Sequence, residues 1–207
     1  MNRGPFIFLG LFFILAASWA VTLNYPQGKS GQLTAIGSGA DRLPHQSLGL
    51  VPKGREVYQE LGCVACHTQQ VRFSAGNDVD RGWGERQTVA RDYIDQNPVF
   101  VGTQRIGPDL TSVGTRLNDA EWLHRHFYNP QIDSAGSTMP PFAFLYEESK
   151  IIGEASNNAL VLPEKFAPKA GKEITPTRKA EALVAYMLSL KLDYDLPEAP
   201  NAEKVNY

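Results

Sequence analysis

The five residues Cys63-Val64-Ala65-Cys66-His67 hold both cysteines of a 207-residue chain. A fold built around them has few options. A disulfide framework needs more cysteines spread over a small secreted domain, and a structural zinc site takes four ligands, from a second C-x-x-C or from paired histidines. Neither set is present. A thioredoxin-type redox pair sits in a βαβ pattern that the flanking sequence lacks, and here a histidine directly follows the second cysteine. The pattern that remains is C-x-x-C-H, the attachment site for one covalent haem c, with thioethers at Cys63 and Cys66 and His67 as an axial ligand of the iron.

Lys and Arg nearly balance Asp and Glu, for a formal net charge of -2. That removes the basic footprint by which proteins hold phosphate backbones, so nucleic acid is excluded as a partner. From Pro5 to Leu23 no residue is charged. As a helix this run is about 28 Å long, close to the roughly 30 Å hydrocarbon core of a bilayer. Phe6, Phe8, Leu9, Leu11, Phe12, Phe13, Ile14 and Leu15 make it apolar on every side, as lipid contact requires. Arg3 and the amino terminus are the cations on its leading flank, which places that end in the cytoplasm and everything after Asn24 outside. Small residues at Ser18-Trp19-Ala20 also fit a cleavable signal peptide, but the apolar run exceeds the usual signal core, which favours a retained anchor. Either reading exports the rest of the chain.

Residues 25–49, with several glycines and Pro44, read as an irregular tether. A helix follows from about Lys53 to Leu61, with Val57, Tyr58 and Leu61 on one face, and leads into Cys63. Between Thr68 and Ile106 lie five arginines and five acidic residues. A stretch of that length is too long for a plain loop and is expected to fold over the cofactor edge or against a partner. Asn118 to Tyr128 reads as a helix capped by Asn118 with Glu121 completing a capping box. Leu183, Tyr186, Met187 and Leu190 define a last helix over about Thr177 to Lys191. Residues 193–207 are acidic and proline-containing, a surface tail. No β-strand alternation is found.

A second axial ligand must come from elsewhere, and Met139, Met187, His45, His124 and His126 are the candidates. Met187 lies on an apolar helical stripe, where methionine fills core. His124 and His126 are two apart on a helix and cannot face one haem together. Met139 is preferred, because it sits in the proline-rich loop Met139-Pro140-Pro141, where backbone rather than helix geometry aims the side chain. The carbonyl of Pro108, in Gly107-Pro108-Asp109-Leu110, is expected to accept the proton on the other ring nitrogen of His67. Arg72, Arg105 and Arg116 are candidates for neutralising the haem propionates.

In this order, the helix, C-x-x-C-H, Gly-Pro-Asp-Leu, Met-Pro and a closing Leu-Val-Ala-Tyr-Met helix resemble a class I cytochrome c. The single anchor, Gly62 to Gln69 followed by Val71-Arg72, the long insertion, Arg105 to Leu110, Val113-Gly114, Tyr128-Asn129-Pro130 and Ser137 to Pro140 further resemble the mono-haem cytochrome c subunit of cbb3-type cytochrome c oxidases. The resemblance implies an all-α, class I cytochrome c fold with one N-terminal transmembrane helix and a long insertion after the haem motif. The expected organisation is an anchor over residues 1–24, a tether over 25–49, a cytochrome c domain over 50–192 and an acidic tail over 193–207. It implies an electron-transfer subunit in the bacterial inner membrane, with its haem domain on the periplasmic side. Its partners would be a catalytic haem-copper oxidase subunit and other cytochrome c subunits, and it would perform no catalytic chemistry of its own. A free membrane-tethered electron shuttle and the small subunit of a nitric oxide reductase are the alternatives.

Overall fold

A computed structural model describes residues 3–72 and 78–200. By internal contacts the chain separates into two units: the chain as far as Gln46 together with Val89–Asn97, and Ser47–Thr88 together with the chain from Pro98 onward.

The first unit begins with helix α1, Gly4–Ser30, the one helix among the described residues that is long and apolar enough to cross a membrane. None of its residues is buried. It runs past Leu23 into the stretch expected to be irregular. Pro26 is tolerated inside it because the preceding turn, Ala20–Asn24, is π-helical, with the Tyr25 N–H donating to the Ala20 carbonyl. A proline has no N–H for the carbonyl four residues back and its ring crowds that oxygen; a wider turn just ahead makes room. After α1 the chain is ordered by pairing rather than left slack. Ile36 and Leu43 exchange backbone hydrogen bonds of 2.9 and 2.8 Å. Arg42 grips Asp95 with two bonds of 2.6 and 2.8 Å, and Arg91 donates to the Thr34 carbonyl. The middle of the long insertion therefore folds onto the tether.

The second unit holds α2 (Val51–Glu60), α3 (Val113–Arg116), α4 (Ala120–Tyr128) and α5 (Arg178–Ser189). Pro52 lies in the first turn of α2, where its missing N–H costs nothing. Past its C-terminal end, Gly62 adopts a left-handed φ of 69°, so backbone conformation accounts for that glycine. The α4 cap is Asp119, whose carboxylate accepts the Trp122 N–H at 3.0 Å, rather than the expected Asn118. Thr177 caps α5. α2 and α5 meet through Gly54, where an added Cβ would stand 1.8 Å from the Ala182 carbonyl oxygen. Their seam buries Val57, Tyr58, Leu183, Tyr186 and Met187, and Leu123 and Phe127 of α4 join the same core.

The expectation of an all-α chain needs correction. β1 (Tyr146–Lys150) and β2 (Lys172–Pro176) form an antiparallel pair with Tyr146 opposite Pro176 and Lys150 opposite Lys172. Alternation is missing from the sequence because β1 buries only Tyr146 and leaves its other four residues exposed. Nothing in such a strand needs a two-residue period. Of the expected surface tail, residues 201–207 lie outside the described residues, and 193–200 are only partly on the surface, with Asp193, Pro197 and Glu198 exposed. Leu196 is 1% exposed and pairs with Ala199, and Arg86 donates to the Tyr194 carbonyl at 3.0 Å.

Replacing Gly54 by alanine should force α2 and α5 apart and destabilise the second unit by about 1–3 kcal/mol. In a thermal melt that is a fall of roughly 2–4 °C per kcal/mol for a domain of this size. An unchanged melting temperature would show that the helix crossing is loose.

Candidate functional site

A cavity of about 560 Å³ opens in the second unit, walled on one side by Cys63, Cys66, His67, Gly107 and Pro108 and on another by Met139 and Pro140. Its volume lies in the range of cofactor and small-molecule sites, roughly 300–1,000 Å³. α2, α4 and α5 contribute Tyr58, Leu123, Phe127, Leu183 and Met187, which make the walls mostly apolar.

The motif forms a short 3-10 turn, Cys63–Ala65, directly after Gly62. The His67 N–H donates to the Cys63 carbonyl at 3.0 Å, and Gly107 N–H donates to Cys66 at 3.0 Å. Cys63 and Cys66 form no disulfide with each other. Burial pushes the Cys63 thiol up to about 11, so it is protonated at neutral pH. Disulfide oxidoreductases instead lower the pKa of their attacking thiol, which speaks against a thioredoxin-type pair.

His67 Nδ1 lies 2.8 Å from the Pro108 carbonyl oxygen. That oxygen can only accept, so Nδ1 carries the proton and Nε2 keeps its lone pair. Burial holds the imidazole below its ordinary value, partly offset by this bond and by Asp109. The ring lies flat on Gly107, where an added Cβ would come within 2.2 Å of the imidazole carbon Cε1. Asp109 is fully buried and accepts from Thr68 Oγ1 at 2.5 Å, Gln70 N–H at 2.8 Å and Thr111 N–H at 2.8 Å.

Among the five second-ligand candidates, Met139, Met187 and His126 line the cavity. His45 belongs to the first unit. His124 turns toward the β-pair, its Nδ1–H donating to Tyr146 Oη at 3.2 Å while that hydroxyl donates to the His124 carbonyl at 2.9 Å. His126 is half-buried and stacks on Trp122 with ring centroids 4.5 Å apart. It thus faces the cavity rather than open solvent. The spacing of Trp122, Leu123, His126 and Phe127 marks one helical stripe, a signal legible in the sequence. Of the three arginines, Arg116 lines the cavity and donates to the Asp109 carbonyl at 2.6 Å. Arg105 is instead bound to Asp78, and Arg72 to Gln70 and Gly102.

Residues 43–180 match the family described as cytochrome c oxidase, mono-heme subunit/FixO. The chain belongs to this family, the mono-haem electron-transfer subunits of cbb3-type oxidases. No curated protein matches the chain.

Burial lowers the pKa of His124 from its ordinary 6.5. The unfolded chain therefore takes up a proton first as pH falls, and stability that is complete above about pH 6.5 is lost below it. Melting temperatures measured from pH 7.5 down to 5 should fall, and His124→Gln should flatten that fall. An equal slope in the variant would remove His124 from the account.

Proposed function

We propose that the chain holds one haem c, which Cys63 and Cys66 would bind through thioethers and His67 and Met139 would hold by its iron, and passes electrons toward the catalytic subunit of a cbb3-type oxidase. The observation that carries this reading is the hydrogen bond from His67 Nδ1 to Pro108. It leaves Nε2 as the ring's donor nitrogen, on the wall of a cavity that both cysteines and Met139 also line.

The residues present fit the group. Two cysteines on one turn would attach the porphyrin, an oriented imidazole and the Met139 sulfur would hold the iron, and apolar walls supply low-dielectric surroundings. Bound there, haem supplies one-electron redox chemistry. Pro108 holds the His67 proton and strengthens the ring as a donor. Gly107 leaves room for the imidazole plane, and the Tyr58, Leu123 and Phe127 side chains exclude water. Met139 as a second ligand beside His67 would raise the potential and leave no site for oxygen, which would suit electron transfer. Met139 is favoured over Met187 because Met187 is 3% exposed within the α5 core seam, whereas Met139 is half-buried in a loop with its N–H on Ser137 Oγ at 3.3 Å.

The apolar helix α1 is the proposed anchor in a bacterial inner membrane, with the haem domain on the periplasmic side, following the cation at Arg3. The first unit bears on the shuttle alternative. A swinging arm needs a slack tether, and residues 34–43 are gathered in by Asp95 and Arg91.

In the complex, Cys66→Ala should sharply lower the haem covalently attached to this chain, read by haem staining of its band on a denaturing gel, and abolish turnover supported by cytochrome donors. Undiminished turnover would refute the assignment. Met139→Leu should remove the methionine–iron charge-transfer band while Met187→Leu keeps it; the opposite result reassigns the ligand. Gly107→Ala should sharply lower haem loading, since the new methyl displaces the His67 ring.

A further inference from the structure

The insertion after the haem motif is anchored where the axial histidine is oriented. Arg105 makes a bidentate pair with Asp78, at 2.5 and 2.6 Å, from opposite ends of that insertion. Its remaining donors reach back to the motif strand, Nε to Thr68 Oγ1 at 3.0 Å and Nη2 to the Gln70 carbonyl at 2.6 Å. Asp78 is 2% exposed and also accepts the Arg72 N–H at 2.6 Å. The Arg105 guanidinium lies 5.4 Å from the centre of the Trp83 ring. Buried charge so fully matched demands this geometry, because any slippage leaves a carboxylate or guanidinium unpaired inside the protein.

Thr68 connects that cluster to the cofactor wall. Its hydroxyl receives Arg105 and donates to Asp109, and its carbonyl accepts the Leu110 N–H at 2.8 Å. Pro108 lies directly before Asp109. Its ring fixes φ, so the direction of its carbonyl depends on one remaining torsion, ψ. Anchoring the Asp109 carboxylate on Thr68 and Gln70 fixes that torsion and thus aims the oxygen at His67.

We propose that Arg105 and Thr68 are positioning residues for His67, and that the insertion, through Asp78, holds the Pro108 carbonyl on Nδ1 and so sets the redox potential of the haem. The inference rests on the reading of His67 as an iron ligand.

The test uses two variants that leave net charge unchanged, in the full chain within the oxidase complex. Arg105→Lys keeps the cation but loses the planar fork. Thr68→Val removes one hydroxyl. A ring N–H without its acceptor makes the imidazole a weaker donor to ferric iron. Both variants should therefore shift the haem c midpoint potential upward in a spectral redox titration and change the anisotropy of the ferric haem EPR signal. Simple Coulomb effects predict no shift for either. Arg105→Gln separates the two further, since removing a positive charge alone would move the potential down. An unchanged or lowered potential in Thr68→Val, with haem c retained, overturns the positioning role and leaves the haem assignment standing. Absence of covalent haem from the unsubstituted chain overturns both. If Arg105→Lys does not accumulate, Thr68→Val decides alone.

Discussion

The carboxylate of Asp109 is the contact on which the second unit's functional wall depends. It has no exposure to water, and its two oxygens collect one hydroxyl and two backbone N–H groups from chain segments about forty positions apart. Hydrogen bonds to a buried anion are the strong kind, and losing one partner costs far more than losing a surface contact. The Cys-x-x-Cys-His turn and the Gly-Pro-Asp-Leu turn are held face to face by this one side chain, aided by the rungs from Gly107 to Cys66 and from Leu110 to Thr68. Without it, neither the imidazole nor its acceptor would have a fixed direction.

Around that wall the helices act as a frame. α2 delivers the thiols, α5 closes against it through Gly54, and α4 supplies the apolar stripe that completes the cavity. Close packing makes such a frame stiff. Stiffness suits a group that must change charge with little movement of its surroundings, since electrostatic preorganisation spares reorganisation at the moment of transfer.

Much of the candidate site is legible in the residues alone. The C-x-x-C-H spacing places three groups on one turn, and Gly-Pro-Asp announces the acceptor of the histidine proton. Helices with clear apolar stripes, such as the one carrying Leu183, Tyr186 and Met187, are found within one or two residues of their ends. What escapes is whatever depends on distant pairing. β1 is polar and exposed, so its hydrogen bonds to β2 have no signature in its own pattern. Arg105 reads as a candidate partner for the haem propionates, because its partner Asp78 lies 27 positions away in the chain. α1 continues through Pro26 because one π-turn absorbs the proline, a local adjustment that hydropathy does not register. His126, by contrast, shares the helical stripe of Trp122, Leu123 and Phe127, a spacing legible in the residues themselves.

The pairing of residues 34–43 with 91–95 joins two stretches of chain that lie on either side of the C-x-x-C-H motif. Along the chain Thr34 and Arg42 come first, the two cysteines next, and Asp95 only afterwards. The first unit cannot close before the cysteines have passed. A chain made in order from its N-terminus therefore carries the C-x-x-C-H motif on a loop that stays open until Asp95 follows.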